Sequence, residues 1–456
     1  MFAVEKELNI PARKDHNGLI EYFREAVGKG LRPDETAVRF VVTKSDDTLY
    51  NCELGIASGL KENSTNSIFE YRQRERENTD KFNAVFLVPT GIGAEIGGHA
   101  GDAAPVVRLL STICDNLITH PNAVNASDIN EIPGNGLYVE GSVICRLIMG
   151  TAGLQPVRSN RILSVIDEHN EPSFIRDAIN SINASRASCG YNCVRIVVLD
   201  TPISMKSLYT ISGRAAGRIE QLENLCGKLD EFRGEYDAVS LSSVIQVPID
   251  FHSDYFTSDG SMVNPWGGVE AILTHTISEL YGVPSAHAPM LESEDVCNID
   301  LGVVDPRMAA EAVSITFMHC LLKGLHRSPQ IIRDRDVIIR DSVISAEDVS
   351  CLVTPDGCIG LPVLAALEQG IPVIAVKENR NKMKNDLSVL PWNPGQLITV
   401  ENYWEAAGVM NALKAGVEPK SVRRPMKKAP VTRNPEKKKE QPLISMPSVQ
   451  KTESNN

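Results

Sequence analysis

From residue 84 onward the chain alternates short apolar runs with longer amphipathic segments, and no other feature constrains its fold as tightly. The runs Ala84–Val88, Ile162–Ile166, Val194–Leu199, Ala238–Ser243, Val283–His287, Cys351–Thr354, Ile371–Val376 and Gln396–Val400 are too short for helices and mostly rich in β-branched residues. Between them lie candidate helices at Ala104–Thr119, Ser173–Ala187, Arg214–Leu229, Val269–Tyr281, Arg307–Leu325, Leu361–Gln369 and Tyr403–Ala415. Asp305-Pro306 supplies an N-cap with Pro in the first helical position, and Gly370 sits just past a helix end. This alternation predicts an α/β fold: a doubly wound, mostly parallel sheet covered on both faces, Rossmann-like over residues 82–416, as one unit or as two lobes. Ahead of it, the helical spacing of Leu19–Val27 and the alternating segments Ala37–Thr43 and Thr48–Ile56 predict a small α+β unit over residues 1–75.

Charge separates the end of the chain from its body. The net charge is −12, but residues 417–456 hold ten Lys+Arg against four Glu, which leaves the remainder at −18. A Pro- and Lys-rich tail without aromatics cannot offset its ordering entropy, so it is expected to be disordered. An acidic body argues against nucleic acid as a partner except through that tail. None of the apolar runs approaches the 18 or so residues of a membrane helix. The N-terminus lacks a basic then apolar leader pattern, and the ten Cys are scattered. Together these predict a cytoplasmic protein with reduced thiols.

In parallel sheets ligands bind beyond the carboxyl ends of strands, so the loops there carry the functional reading. The first, Pro89-Thr-Gly-Ile-Gly-Ala-Glu-Ile-Gly-Gly-His-Ala-Gly-Asp102, has five glycines in eleven residues before a helix. Gly91, Gly93, Gly97 and Gly98 are expected to cradle an anion with backbone N–H groups, with His99 and Asp102 adding polar contacts. The loop matches neither the dinucleotide fingerprint nor a Walker sequence. Just downstream, His120, Asn122 and Asn125 are dense in groups that both donate and accept, which suits a polar ligand.

The second loop runs from Val247 through Asp250, His252 and Asp254 to Asn264-Pro-Trp-Gly-Gly268. If extended, it would place Asp250, His252 and Asp254 on one face, where Asp250 could orient His252 as a general base. Trp266, Gly267 and Gly268 place an aromatic wall at a helix N-terminus. His275 reads as a packed helix residue, while His287, at a strand end, is a better catalytic candidate than His319 inside an apolar helix. The third loop, Asp356-Gly-Cys-Ile-Gly360, precedes a helix opened by Pro362, so Gly357 and Gly360 with Lys377 on the next strand end form a second candidate anion site.

The spacing Ala366-x-x-x-Gly370-x-Pro-Val-Ile374 resembles the nucleotide-binding half of two-domain glycosyltransferases and sugar-nucleotide epimerases, although their ribose-binding Glu would fall at Ala365. The motifs Pro89–Asp102, Thr119-His-Pro-Asn122, Asn264-Pro-Trp-Gly-Gly268, Asp305-Pro-Arg-Met-Ala-Ala-Glu311 and Gly324-Leu-His-Arg-Ser-Pro329 together resemble a family of unknown function from cyanobacteria, other bacteria and plants, over Phe2 to Gly416. That resemblance implies a fold but no catalytic residue. The function expected is an enzyme acting on a phosphorylated or nucleotide-linked small molecule, transferase- or epimerase-like, with His252, Asp250 and His99 as acid/base groups. A non-catalytic nucleotide or metabolite sensor and a metal-dependent hydrolase built on Asp250, His252 and Asp254 are the competing readings. No cofactor is identified, and the partners expected are the small molecule and a second copy of the chain.

Overall fold

The structure, a computed structural model, describes residues 1–59, 67–340 and 342–432, apart from the side chains of Ile249 and Asp250. Residues 60–66 of the expected N-terminal unit, and residues 433–456 of the expected tail, lie outside the described residues.

The chain folds as mixed α/β around two large sheets. One has six strands, all parallel, in the spatial order Gly136–Tyr138, Asn116–Thr119, Asn83–Phe86, Val349–Pro355, Val373–Val376, Leu397–Val400. The chain order thus runs outward in one direction from Asn83–Phe86 and then, after a long insertion, outward in the other from Val349–Pro355. Ala84, Phe86 and Val88 pack into one apolar cluster while Val85 and Leu87 pack into another. Burial on both faces is why this strand reads as an unbroken apolar run rather than an alternating one.

The second sheet has ten strands and is mixed. Cys193–Val198, Ile162–Ile166, Ala238–Gln246 and Ser285–Met290 lie parallel, in that order. The far end of Ala238–Gln246 pairs with Ser204–Tyr209, which leads into an antiparallel run through Ala215–Glu220, Phe2–Pro11, Leu49–Ser58 and Glu35–Ser45. The N-terminal strands therefore share a sheet with residues 204–220. Glu35–Ser45 closes on Ile359–Gly360, tying this sheet to the loop that follows Val349–Pro355.

Helix Gly267–Tyr281 rests on the strand Ala215–Glu220 at backbone distance. A Cβ on Gly268 would lie 2.3 Å from the Ala215 carbonyl oxygen, and one on Gly217 would lie 2.3 Å from Cβ of Val269. Only glycine at both positions permits this approach. Asn264 secures the helix start, its side-chain oxygen accepting from the N–H groups of Trp266 and Gly267 at 2.9 and 3.1 Å.

Several elements differ from expectation. The helix beginning at Ala104 stops at Ser111, and Asn116–Thr119 is a strand. Arg214–Leu229 divides into the strand Ala215–Glu220 and the helix Leu222–Glu231, because strands on both sides supply its backbone with partners. Arg307–Leu325 holds only Ala309–Ala312 and Met318–His326 as helix.

Gly217→Ala is expected to lower unfolding free energy by roughly 1–3 kcal/mol, the usual cost of overpacking, measured by urea denaturation. An unchanged midpoint would show that the helix does not depend on this contact.

Candidate functional site

A cavity of about 160 Å³ lies beyond the carboxyl ends of Asn83–Phe86 and Val349–Pro355, where the strand order changes direction. Thr90 and His120 border it from one side, Gly360 and Pro362 from another, and Arg39 comes from the mixed sheet. Three helices begin at its wall: Gly141–Ile148, Gly267–Tyr281 and Leu361–Gln369. Their aligned dipoles favour negative charge there, although the N–H groups of Ser142 and Gly267 are already taken by the Glu140 and Asn264 side chains. The volume falls below the 300–1,000 Å³ or so of sites for drug-sized ligands, so the occupant it suits is small.

The guanidinium of Arg39 is mostly buried. It donates from Nη2 to the Thr90 carbonyl at 2.6 Å and lies 3.6 Å from Glu5, while Nη1 lacks a hydrogen-bond partner. Burial and neighbouring Arg214 push its pKa down to about 10, which still leaves it charged at neutral pH. His120 accepts from the Val88 N–H through Nε2 at 3.2 Å, and burial pulls its pKa down to about 4. It is therefore neutral, with its proton on Nδ1.

Glu140 caps the helix Gly141–Ile148 and binds Nε2 of His275 at 2.8 Å. Its second oxygen accepts from the N–H and the hydroxyl of Ser142. Burial alone would raise the Glu140 pKa, but His275 and Ser142 together hold it below the ordinary carboxylate value. An ionised carboxylate on Nε2 fixes that nitrogen as the protonated one in neutral imidazole and leaves Nδ1 a lone pair. Nδ1 of His275 is buried without a hydrogen-bond partner, on a residue that lines the cavity. This is the arrangement of a general base held by a carboxylate.

A second imidazole–carboxylate pair stands at the far side. His287 lies 3.1 Å through Nδ1 from Glu270 and 2.8 Å through Nε2 from the Ser243 hydroxyl. The connectivity is that of a hydrolytic triad. Ser243, however, sits inside the strand Ala238–Gln246, 2% exposed, with its hydroxyl also 3.0 Å from the Met205 sulfur. It cannot meet a substrate as a nucleophile. Glu270 and His287 border the first cavity and also a second one of about 100 Å³, which Asn122 and Asn125 border as well.

Of the residues singled out in the sequence, His120, Asn122, Asn125, Gly267 and Gly360 line the first cavity, and Asn122, Asn125, His252 and Trp266 line the second. Asn125 is engaged with Tyr138 and Asn130. The glycine loop is turned largely toward the protein. Gly91 accepts from the Ala215 N–H at 2.9 Å, and a Cβ on Gly93 would lie 2.7 Å from Val263. The N–H of Gly97 donates to Asp102 at 2.7 Å, and a Cβ on Gly98 would strike the Ala94 carbonyl. His99 is bound to the Tyr255 hydroxyl at 2.6 Å, and burial lowers its pKa to about 4. Gly268 serves the helix–strand contact. Asp356 caps Gly357, whose carbonyl accepts from Asn385. Lys377 is half exposed and paired with Glu401 at 2.9 Å.

The extended Asp250, His252 and Asp254 segment is corrected: Ile249–Thr257 is a helix. Residues two apart in a helix diverge by about 200°, so His252 is buried while Asp254 is exposed. The expected one-face alignment therefore does not form; the Asp250 side chain lies outside the described residues. Among the described residues no group of three or more His, Cys, Asp or Glu is placed to hold a metal ion. The residues that sequence reasoning missed are Arg39, Glu140 and His275. The one signal for His275 was its place, with Thr274, Thr276 and Glu279, in a helix otherwise apolar enough to be buried on all sides.

The chain belongs to a family described as Protein of unknown function (DUF3326), whose model matches residues 83–423. A relative from Synechococcus sp., named an uncharacterized lipoprotein, is 34% identical over 343 residues, covering 74% of this chain and 92% of that protein. That name conflicts with a purely cytoplasmic placement, so the expectation of a cytoplasmic protein is corrected. No solved structure matches the chain. No helix among the described residues is long and apolar enough to cross a membrane.

Asp102 supplies a test of the glycine loop's packing role. Burial raises its carboxyl to about 8, so the folded state holds a proton that the unfolded chain releases near pH 4. Its contribution is complete below pH 4 and is lost as pH rises toward 8. Asp102→Asn is expected to remove this loss, so that wild type falls relative to the variant by up to about 1.4 kcal/mol per pH unit in that window. Parallel stability–pH curves would contradict the burial of this carboxyl.

Proposed function

We propose that this family member is an enzyme acting on a small phosphorylated or nucleotide-linked molecule, whose anionic end occupies the first cavity while His275 moves a proton. The observation that carries this reading is the meeting of three helix N-termini and the Arg39 guanidinium at the same wall as an imidazole nitrogen without a partner. Charge-assisted hydrogen bonds from Arg39 would hold the anion, and the helix N-termini would add roughly 0.3–1 kcal/mol each. His275 would take a proton at Nδ1, and Glu140 would stabilise the imidazolium so formed. His120, a neutral donor through Nδ1, would polarise an oxygen of the substrate. In this role His275 replaces His252 and His99.

The order of the parallel strands supports a doubly wound, Rossmann-like reading, since ligands of such sheets sit where the order reverses. The cavity has room for the phosphate-bearing end of a nucleotide but not for the whole. Proton abstraction beside an anionic group suits epimerase-like chemistry, and the same base would serve a transferase by activating a hydroxyl.

The expected result is thermal stabilisation by inorganic phosphate with a dissociation constant of roughly millimolar order, and tighter binding by some members of a sugar phosphate and nucleoside monophosphate panel. Arg39→Met should abolish this stabilisation. His275→Gln should keep it and lower turnover of the best ligand by about 10²–10⁴-fold. The reading fails if no phosphate compound stabilises the unmodified protein at tens of millimolar.

A further inference from the structure

The second cavity differs in character from the first. Its walls are largely apolar, with Phe256, Trp266, Met290, Phe317 and Leu321, and it shares Asn122, Asn125, Glu270 and His287 with the first. The two spaces thus adjoin across the Glu270–His287 pair. One polar group in the apolar part has no protein partner: Nδ1 of His252 is buried and makes no hydrogen bond. The ring itself is fixed, packing edge-on against Trp266 at 5.5 Å between centroids and tilted against Phe256 at 5.6 Å. A buried, oriented imidazole nitrogen without an acceptor or donor costs free energy unless something supplies one. The surrounding Trp266, Phe256 and Phe317 form the kind of wall against which a flat apolar group stacks.

We infer that the second cavity is the other half of a bipartite substrate site, taking an apolar ring that bears one hydroxyl or amine, with that group bonded to Nδ1 of His252. Its place in a substrate site rests on the anion reading of the first cavity; the second cavity's own chemistry stands apart from it. A ligand joining the two halves passes between Asn122 and the Glu270–His287 pair. Glu270 and His287 there act as positioning residues.

The experiment uses the full chain, with phenol, toluene and inorganic phosphate as probes. Titration is followed by the 13C methyl resonance of Met290 and by calorimetry. Phenol is expected to shift the Met290 resonance saturably and to bind about tenfold more tightly than toluene, the worth of one neutral hydrogen bond. His252→Leu should make the two equal. Leu321→Trp, which fills the space, should remove phenol binding and leave phosphate binding unchanged; should that variant not fold, the Met290 shift in the wild type still decides. Phosphate and phenol should bind together without competing. Equal affinity for phenol and toluene in the wild type, no Met290 shift, or competition between phenol and phosphate would overturn the inference. Phenol binding without phosphate binding would support the second cavity and overturn the anion reading of the first.

Discussion

The helix Gly267–Tyr281 can lie where it does only because two glycines let it touch the neighbouring strand and a third lets its start pass the glycine-rich loop. Gly217 and Gly268 bring helix and strand to backbone distance, and Gly267 lets the helix start pass Thr90, whose methyl would be 2.9 Å from a Cβ there. The same strand donates through Ala215 to Gly91, so the glycine-rich loop, the strand and the helix form one packed unit. Everything that the helix contributes to the two cavities, Glu270, Thr274 and His275 included, is placed by that contact. A side chain at Gly217 or Gly268 would force helix and strand apart and so shift His275 relative to Arg39.

Buried charge is the second demand on this architecture. Arg214 is fully buried between Glu5 and Glu53, and Glu5 also faces Arg39. Such a network gains little over apolar packing, but once assembled it cannot lose a member without stranding a charge, at a cost of roughly 3–5 kcal/mol. It binds Phe2–Pro11, Glu35–Ser45, Leu49–Ser58 and the turn before Ala215 into a single register. Arg39 is the edge of this network that reaches the cavity. In a chain with net charge −12, the positive groups at the cavity are the Arg39 and Arg146 guanidiniums and the helix ends, set beside Glu140 and Glu270, with no lysine among the lining residues.

Much of the framework was legible in the residues, for stated reasons. Ile162–Ile166 and Leu361–Gln369 match their expected limits because an apolar run and a Pro-opened, Gly-closed helix leave little choice. Ala215–Glu220 was illegible as a strand: its small residues suit a helix pattern equally well, and they are small because a helix rests on them. His120 and Asn122 were found because their segment is dense in groups that donate and accept, although they follow the strand Asn116–Thr119 and not the helix expected there. Arg39 and Glu140 lie within a strand and at a helix cap far along the chain, and only the joining of the two sheets brings them to the cavity. His275 looked like core because it is core on every side but one. The name lipoprotein carried by the Synechococcus relative lies beyond anything the described fold displays.

The protonation of one ring tests the account most directly. In 15N spectra of the imidazole groups, His275 should appear with its neutral-form proton on Nε2, toward Glu140, and its Nδ1 resonance should move saturably as inorganic phosphate is added. A His275 carrying that proton on Nδ1, or an Nδ1 resonance indifferent to phosphate at tens of millimolar, would contradict the assignment of this cavity as an anion site with a poised base.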